Sequence, residues 1–205
     1  MIVAVGGLIG TGKSTLVNKL ADNNNYTIFE EPVDNNPFLV DYYKDPARWS
    51  FTLQVYYLWE RYKQAQEAHM RSLRNETVVL DSSLYSDLAF ALLQHNEGYF
   101  TDDEYKTYLN MHKIIAAQTA YPNVMLFLKA NIDTVIKRIN SRSRECESSI
   151  QKEYLLSLMN AYDIILNDLK RHTDIVYIDA NKSIDEVYSD ANSIINNYKN
   201  NFIYY

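Results

Sequence analysis

Cysteine is almost absent from this 205-residue chain, which contains Cys146 and no second thiol. A lone cysteine cannot close an internal disulfide, so the small disulfide-stapled folds of secreted proteins are excluded. No apolar run approaches the roughly 20 residues that a membrane-spanning helix requires, and no basic leader precedes the first apolar segment. From these absences we expect a cytoplasmic protein with no membrane partner.

Positive charge is also in short supply, because 20 lysines and arginines face 26 aspartates and glutamates and give a net charge of -6. An acidic chain is a poor match for the phosphate backbone of DNA or RNA, so we expect no nucleic-acid partner. Hydrophobic residues nevertheless make up 47% of the chain, which is typical of a folded globular protein. Its length, without a linker or a repeat, predicts a single domain over residues 1–205 with a sizeable core.

Glycine is rare as well, and four of the five glycines fall between positions 6 and 12. The stretch Gly7–Ser14 fits the template G-x-x-x-x-G-K-[ST], with an apolar, β-branched run before it and a helical pattern after it. The alternative, a glycine-rich turn between a strand and a helix, leaves the full eight-residue match unexplained. We therefore predict a loop that holds the phosphates of ATP. The residues predicted to bind the nucleotide here are Gly7, Gly10, Thr11, Gly12, Lys13, Ser14 and Thr15.

Five short apolar runs alternate with helical patterns along the chain. Continuously apolar strands are typical of a parallel sheet that is buried on both faces. We predict an α/β fold of the P-loop NTPase type, a three-layer α/β/α arrangement around a five-stranded parallel sheet, with the ligand beyond the carboxyl ends of the strands. The predicted strands are Ile2–Val5, Tyr26–Phe29, Thr77–Leu80, Val124–Leu128 and Ile175–Ile178.

Two oxygen-bearing side chains are candidates for holding Mg²⁺. The Ser14 hydroxyl closes the loop motif and is placed to ligate the ion. Asp81 follows the third predicted strand, at a position where a carboxylate would face the loop. A helix N-cap is the alternative role, and it suits Ser83 better than Asp81.

A second pair of carboxylates, Glu30 and Glu31, follows the second predicted strand and precedes Pro32. Proline fixes the direction of the chain at this point, so a carboxylate beside it is a good candidate for a general base. A solvated acidic turn is the alternative, and we favour it for Glu30. For Glu31 both interpretations stay open on the residues alone.

A long helical pattern runs from Pro46 to about Leu73 and carries Gln54 and Arg61 on one face. The amide of Gln54 can donate and accept hydrogen bonds at the same time, as the edge of a nucleobase requires. An exposed position on the helix surface is the commoner place for a glutamine and remains the alternative.

Arg138, Arg142 and Arg144 form a basic cluster, and the first two share a helical face. Such a cluster is often a solvated surface. In an acidic protein with a phosphate loop, we favour a clamp on the transferring phosphates.

Together these motifs resemble those of the deoxyribonucleoside kinase family over essentially the whole chain. A phosphate loop alone is compatible with many activities, whereas this set in this order is specific. The segment Asn35–Leu39 is similar to bacterial deoxyadenosine and deoxyguanosine kinases. The motifs that carry the resemblance are Gly7–Ser14, Glu31–Val33, Tyr43–Gln54, Asp81–Asp87 and Arg138–Glu147.

The resemblance implies an enzyme that transfers the γ-phosphate of ATP, with Mg²⁺, to the 5′-hydroxyl of a deoxyribonucleoside, and a purine one. Glu31 would take the proton from that hydroxyl. Lys13, Arg138 and Arg142 would act on the phosphates, the arginines from a lid of about residues 138–150.

The resemblance also implies how the acceptor and a second subunit are held. Tyr43 and Glu147 would hold the sugar 3′-hydroxyl, and Gln54 would read the base edge. A homodimer would form through the helix that begins at Pro46 and the helix that begins at Leu84. The predicted substrate-binding set is Glu31, Tyr43, Gln54, Arg61, Asp87 and Glu147.

The chain departs from the family pattern at two places. Family members commonly carry arginine between the acid and the serine of the third motif, where this chain has Ser82. One cation near the transferring phosphates is then missing, and we expect a lid arginine to supply its charge. The ring that many relatives place over the nucleobase corresponds to Leu53 or Ala91, which leaves the base preference open.

Two alternatives to a nucleoside kinase follow from the same motifs. A nucleoside monophosphate kinase, such as a thymidylate kinase, shares the loop and the lid but must neutralise an acceptor phosphate, for which Arg48 and Arg61 are candidates. A non-catalytic, nucleotide-binding family member is the other alternative. Ser82 favours it mildly, and four intact residues argue against it: Lys13, Ser14, Glu31 and Asp81.

Overall fold

The computed structural model describes residues 1–32, 36–142 and 150–202 of the chain. The strands in this part are β1 (Ile2–Gly7), β2 (Thr27–Phe29), β3 (Val78–Asp81), β4 (Val124–Lys129) and β5 (Asp174–Asp179). They form one parallel sheet in the order β2-β3-β1-β4-β5. The predicted five-stranded parallel sheet is therefore confirmed.

Helices cover both faces of this sheet. They are α1 (Lys13–Asn23), α2 (Leu39–Lys44), α3 (Pro46–Ser72), α4 (Ser86–Asn96), α5 (Asp102–Ala116), α6 (Ile132–Arg142), α7 (Lys152–Leu169) and α8 (Ile184–Phe202). Val3 and Val5 of β1 pack with α1 and α8 on one face, whereas Ala4 packs with α4 and α7 on the other. Successive strand residues point to opposite faces, so a strand covered on both sides must be apolar throughout. The predicted three-layer α/β/α fold is confirmed.

The sheet has its switch point at β1, which lies between β3 and β4. The register pairs Val5 with Asp81 and Phe29 with Leu80, so the carboxyl ends of β2, β3 and β1 meet at one edge. Ligands of open parallel sheets bind at such an edge. The fold thus brings the loop after β1, Glu31 after β2 and Asp81 at the end of β3 to the same place.

The helix ends largely follow the local signals in the sequence. The Asp45 side chain accepts a hydrogen bond from the backbone N–H of Arg48 at 3.2 Å and caps α3, which has Pro46 in its first turn. Thr101 and Glu104 cap α5 reciprocally, as their spacing predicts. The short helix α2 was not predicted, because six residues are too few for an apolar period to show. Within the described ranges, no helix has both the length and the apolar character needed to cross a membrane.

Candidate active site

The loop between β1 and α1 has the backbone shape that its glycines allow. Gly7 and Gly10 have φ angles of 142° and 81°, which side-chain-bearing residues rarely adopt. A Cβ at Gly7 would lie 2.8 Å from the backbone oxygen of Leu128, and one at Gly10 would lie 2.8 Å from Cγ1 of Ile139. The loop is therefore packed tightly against β4 and α6. This close packing explains why the chain concentrates its few glycines here.

The lysine of the loop points back over the loop itself. Lys13 Nζ donates hydrogen bonds to the backbone oxygens of Gly7 at 3.2 Å and of Leu8 at 3.1 Å. Gly12 precedes the first turn of α1 and brings no side chain to cap it. The N–H groups of that turn and the ammonium group therefore face the same space, which suits an anion.

Ser14 and Asp81 meet at the loop as the sequence predicts. The Ser14 Oγ donates a hydrogen bond to Oδ2 of Asp81 at 2.5 Å. Asp81 is buried, and its Oδ1 has no hydrogen-bond partner within the described part of the chain. Burial raises the pKa of Asp81, and the Lys13 ammonium partly offsets this effect. A hydroxyl and a carboxylate are the hard oxygen ligands that Mg²⁺ prefers, so this pair fits the predicted metal position.

The buried side chains of Arg61 and Asp87 and the half-buried Glu31 form a cluster next to this pair. Arg61 Nη2 donates to Oε1 of Glu31 at 2.8 Å, and its Nη1 donates to the backbone oxygen of Asp81 at 2.8 Å. Asp87 Oδ1 lies 3.6 Å from Arg61 Nε, too far for a hydrogen bond. Burial raises the pKa of Asp87 to about 7, with Arg61 lowering it and Glu31 raising it further.

One cavity connects the phosphate loop to the two side chains predicted to read a base. Gln54 on α3 and Asp87 on α4 both line it, together with Lys13 and Glu31. Gln54 is only 3% exposed, so its alternative role as a surface residue of the helix is wrong. Its Oε1 and the Oδ2 of Asp87 are buried without a hydrogen-bond partner among the described residues. Buried acceptors of this kind need donors, which a ligand in the cavity can supply.

Several cavity residues were not predicted from the sequence. Tyr43 was predicted from the resemblance and does line the cavity, but the helix α2 that carries it was not predicted. Two of these residues share a helix face with a predicted site residue, so their spacing could have revealed them. Gln94 follows Asp87 by two helical turns, and Tyr57 follows Gln54 by one turn. Tyrosine appears often in this wall. The unpredicted wall residues are Ile9, Leu39, Tyr42, Tyr57, Phe90, Gln94 and Tyr154.

The two departures from the family pattern have clear positions. Ser82 is buried, has a φ angle of 66°, and its N–H donates to the backbone oxygen of Val5 at 2.9 Å. Leu53 lines the cavity. Ala91 packs in an apolar cluster behind it, and the neighbouring Phe90 reaches the cavity instead. An aromatic ring is thus available to a bound base from the residue beside Ala91.

Of the predicted lid, the described residues include the end of α6 up to Arg142. Arg138 Nη1 donates to the backbone oxygen of Thr11 at 3.4 Å. Arg142 lines the main cavity and a second hollow across the loop, which also contains Lys182 of the segment before α8. Arg144 and Glu147 lie outside the described residues. The structure thus places Arg138 and Arg142 of α6 beside the phosphate loop.

Comparison with known proteins agrees with this geometry. The family model described as deoxynucleoside kinase matches residues 3–204 of the chain. The chain belongs to the deoxynucleoside kinase family. The family consists of phosphotransferases, and Lys13, Glu31, Gln54 and Asp87 of its motifs line one cavity here.

Individual members of the deoxynucleoside kinase family are similar over most of the chain. A deoxyadenosine kinase of Dictyostelium discoideum is 34% identical over 83% of this chain and 68% of its own length. A deoxyguanosine kinase of the same organism is 36% identical over 82% of this chain, which spans only 60% of that longer protein. The deoxyadenosine kinase from M. mycoides with bound dATP matches in structure with a TM-score of 0.84, at 27% identity, over 96% of this chain and all of that one.

Proposed function

We propose that this protein transfers the γ-phosphate of ATP to the 5′-hydroxyl of a deoxyribonucleoside, and a purine one by preference. The observation that carries the proposal is the single cavity with the phosphate loop at one end and Gln54 and Asp87 at the other. Glu31 lines the same cavity. A nucleoside whose base lies at Gln54 would present its sugar hydroxyl to Glu31 and the phosphates.

Phosphoryl transfer depends on positioning and charge neutralisation more than on covalent chemistry. Glu31 accepts the proton of the attacking 5′-hydroxyl. Lys13, Arg138 and Arg142 neutralise the charge of the donor phosphates during transfer. Ser14 and Asp81 would hold Mg²⁺, which would supply positive charge next to the donor phosphates.

The base end of the cavity suits a base that has an amino group. Gln54 can accept from and donate to one base edge, and Asp87 adds a second acceptor. Adenine and cytosine both offer an amino group next to a ring nitrogen acceptor, so the preference for a purine rests on the relatives. The relatives named above act on deoxyadenosine and deoxyguanosine, and the M. mycoides enzyme has also been solved with bound dCTP.

Asp87 gives nucleoside binding a pH dependence. With a pKa of about 7, its carboxyl group is about one-tenth ionised at pH 6 and about nine-tenths at pH 8. Only the ionised form is purely an acceptor for a base N–H. The Kd of deoxyadenosine, measured by calorimetry without ATP, should therefore fall by up to about tenfold between these pH values. The same measurement on Asp87→Asn should lose this dependence, and a wild-type Kd that stays flat or rises would count against the assignment.

Arg142 is expected to supply charge that Ser82 does not. Arg142→Ala should lower kcat by about a hundredfold, because a cation is removed from the transferring phosphates. Ser82→Arg should change kcat only modestly, since the lid already provides that charge. Steady-state kinetics with saturating ATP separates the two variants, and a mild effect of Arg142→Ala would refute this role.

A nucleoside monophosphate kinase would need a free cation at the acceptor end. Arg48 is exposed and lies against the ring of Trp49, and it does not line the cavity. Arg61 donates to Glu31 and Asp81. Both observations favour a nucleoside over a nucleoside monophosphate as acceptor.

Radiolabelled ATP assayed against each deoxynucleoside and each deoxynucleoside monophosphate tests the proposal. We expect label in deoxyadenosine or deoxyguanosine and little or none in the monophosphates. Transfer to a monophosphate alone would support the thymidylate kinase alternative. No transfer to any acceptor, with ATP still bound, would support the non-catalytic alternative.

We also propose a homodimer, with a revised surface. Residues of α4 up to His95 are buried or half-buried, so this helix has little surface to offer. Exposed apolar side chains lie instead on α3, at Trp59 and Met70, and on α5, at Ile114. Analytical ultracentrifugation of Trp59→Glu, which should be monomeric, tests this surface, and an unchanged dimer would refute it. The cytoplasmic location stays a prediction.

A further inference from the structure

One arginine lies behind the wall of the cavity rather than on it. The Arg61 side chain is only 1% exposed, whereas Glu31 and Asp87, which flank it, both line the cavity. Arg61 occupies the middle of the 27-residue helix α3, so helix on both sides fixes its backbone. A buried guanidinium must have its charge compensated, and these two carboxylates are placed to do so.

The hydrogen bonds of Arg61 fix the plane of its guanidinium. Nη1 donates to the backbone oxygen of Asp81 at 2.8 Å, which ties Arg61 to the end of β3. Nη2 then meets Oε1 of Glu31 at 2.8 Å, a length typical of a charge-assisted bond. A neighbouring residue of α3 reinforces this hold, because Gln64 Nε2 donates to the backbone oxygen of Glu30 at 2.8 Å. Helix α3 therefore holds both the side chain of Glu31 and the backbone before it.

Arg61 does not treat its two carboxylate neighbours equally. Its hydrogen bond goes to Glu31, whereas Nε and Asp87 Oδ1 are 3.6 Å apart and Nε has no hydrogen-bond partner among the described residues. Asp87 is therefore paired with Arg61 at a longer distance than Glu31 is. The shorter, hydrogen-bonded contact is the one that can orient a carboxylate, and it goes to the proposed proton acceptor Glu31.

We propose that Arg61 is a positioning residue that acts on phosphoryl transfer through Glu31, by keeping its carboxylate aimed at the 5′-hydroxyl. The inference rests on the proposed function and assigns to Arg61 a target other than the nucleobase. A general base must lie within about 3 Å of the proton it takes. A donor that fixes its orientation therefore affects the rate, and losing such a supporting contact typically costs about 10–100-fold.

Two double-mutant cycles test which carboxylate transmits the effect of Arg61. Arg61→Gln alone should lower kcat by about 10–100-fold. In a Glu31→Gln background the same substitution should change kcat by less than about twofold, because the residue through which Arg61 acts is already lost. In an Asp87→Asn background the full loss of kcat should remain. Additive losses with Glu31→Gln, or a loss of kcat that disappears only with Asp87→Asn, would overturn the proposal.

Matched variants separate positioning from folding. Arg71→Gln is the control on the same helix, since Arg71 pairs with Glu67 and Glu76 at the surface, and its kcat should equal that of wild type. Where thermal melting shows that Arg61→Gln does not fold, Arg61→Lys takes its place in both cycles. Lysine keeps the positive charge of arginine but lacks its planar, forked guanidinium. We therefore expect Arg61→Lys to cause a smaller loss of kcat, which also disappears in the Glu31→Gln background. An additive loss would again overturn the proposal.

The proposed function is checked separately in the same experiment. If the wild-type enzyme phosphorylates no nucleoside, the proposed function itself is refuted. If the wild type is active but the losses of kcat are additive in the Glu31→Gln cycle, only the role of Arg61 is refuted.

Discussion

Glu31→Gln is expected to lower kcat by about a thousandfold while the nucleoside still binds. Glutamine has nearly the shape of glutamate but cannot accept the proton of the attacking hydroxyl. The amide can still contact Arg61, so the wall of the cavity should keep its form. Calorimetry should therefore give a Kd for deoxyadenosine close to that of wild type, while steady-state assays show the loss in kcat.

Glu30→Gln is the matched control for this substitution. Glu30 is exposed, and its backbone oxygen rather than its side chain accepts the bond from Gln64. Its kcat should equal that of wild type. Turnover of Glu31→Gln at the wild-type rate would refute the assignment of the general base.

Lys13→Ala is expected to lower kcat by about a thousandfold, because the ammonium group that faces the phosphates is removed. In the described structure Lys13 Nζ is bonded to the backbone oxygens of Gly7 and Leu8, which accept it without the charge that a phosphate would bring. During the reaction the ammonium group would bind phosphate oxygens instead of these neutral carbonyls. The alanine variant lacks this interaction. Assays at saturating ATP distinguish this loss from weakened nucleotide binding.

Lys19→Ala provides the control on the same helix. Lys19 pairs with Asp185 of α8, away from the loop, so its loss should leave kcat unchanged. Equal effects of the two lysine variants would show that the loss reflects the stability of α1 and not the chemistry of Lys13.

The sheet and the phosphate end of the site could be predicted because their signals are local. A strand buried in a parallel sheet has the same continuously apolar sequence pattern whatever its position in the sheet. The loop template likewise specifies both its glycines and its polar residues. Parallel topology then placed Asp81 beside Ser14, which the 2.5 Å contact reproduces. Spacing alone was sufficient for these parts.

The acceptor end could not be predicted in the same way, because its polar residues are buried. Helix patterns assign polar residues to the solvent side, and this rule favoured an exposed Gln54. The inner face of α3 instead turns Gln54 towards the cavity and buries Arg61 behind it. The partner that Arg61 binds comes from another strand–loop unit, and sequence spacing carries no information about such a contact. The helix α2, with Tyr43, was missed because of its shortness.

The position of phosphate transfer tests the central claim most directly. The protein would be incubated with [γ-³²P]ATP and either deoxyadenosine or its analogue without a 5′-hydroxyl, and the labelled product would be treated with a 5′-nucleotidase. We predict label in deoxyadenosine, complete release of that label by the nucleotidase, and no label in the analogue. Label in the analogue, or label that the nucleotidase does not release, would contradict transfer to the 5′-hydroxyl.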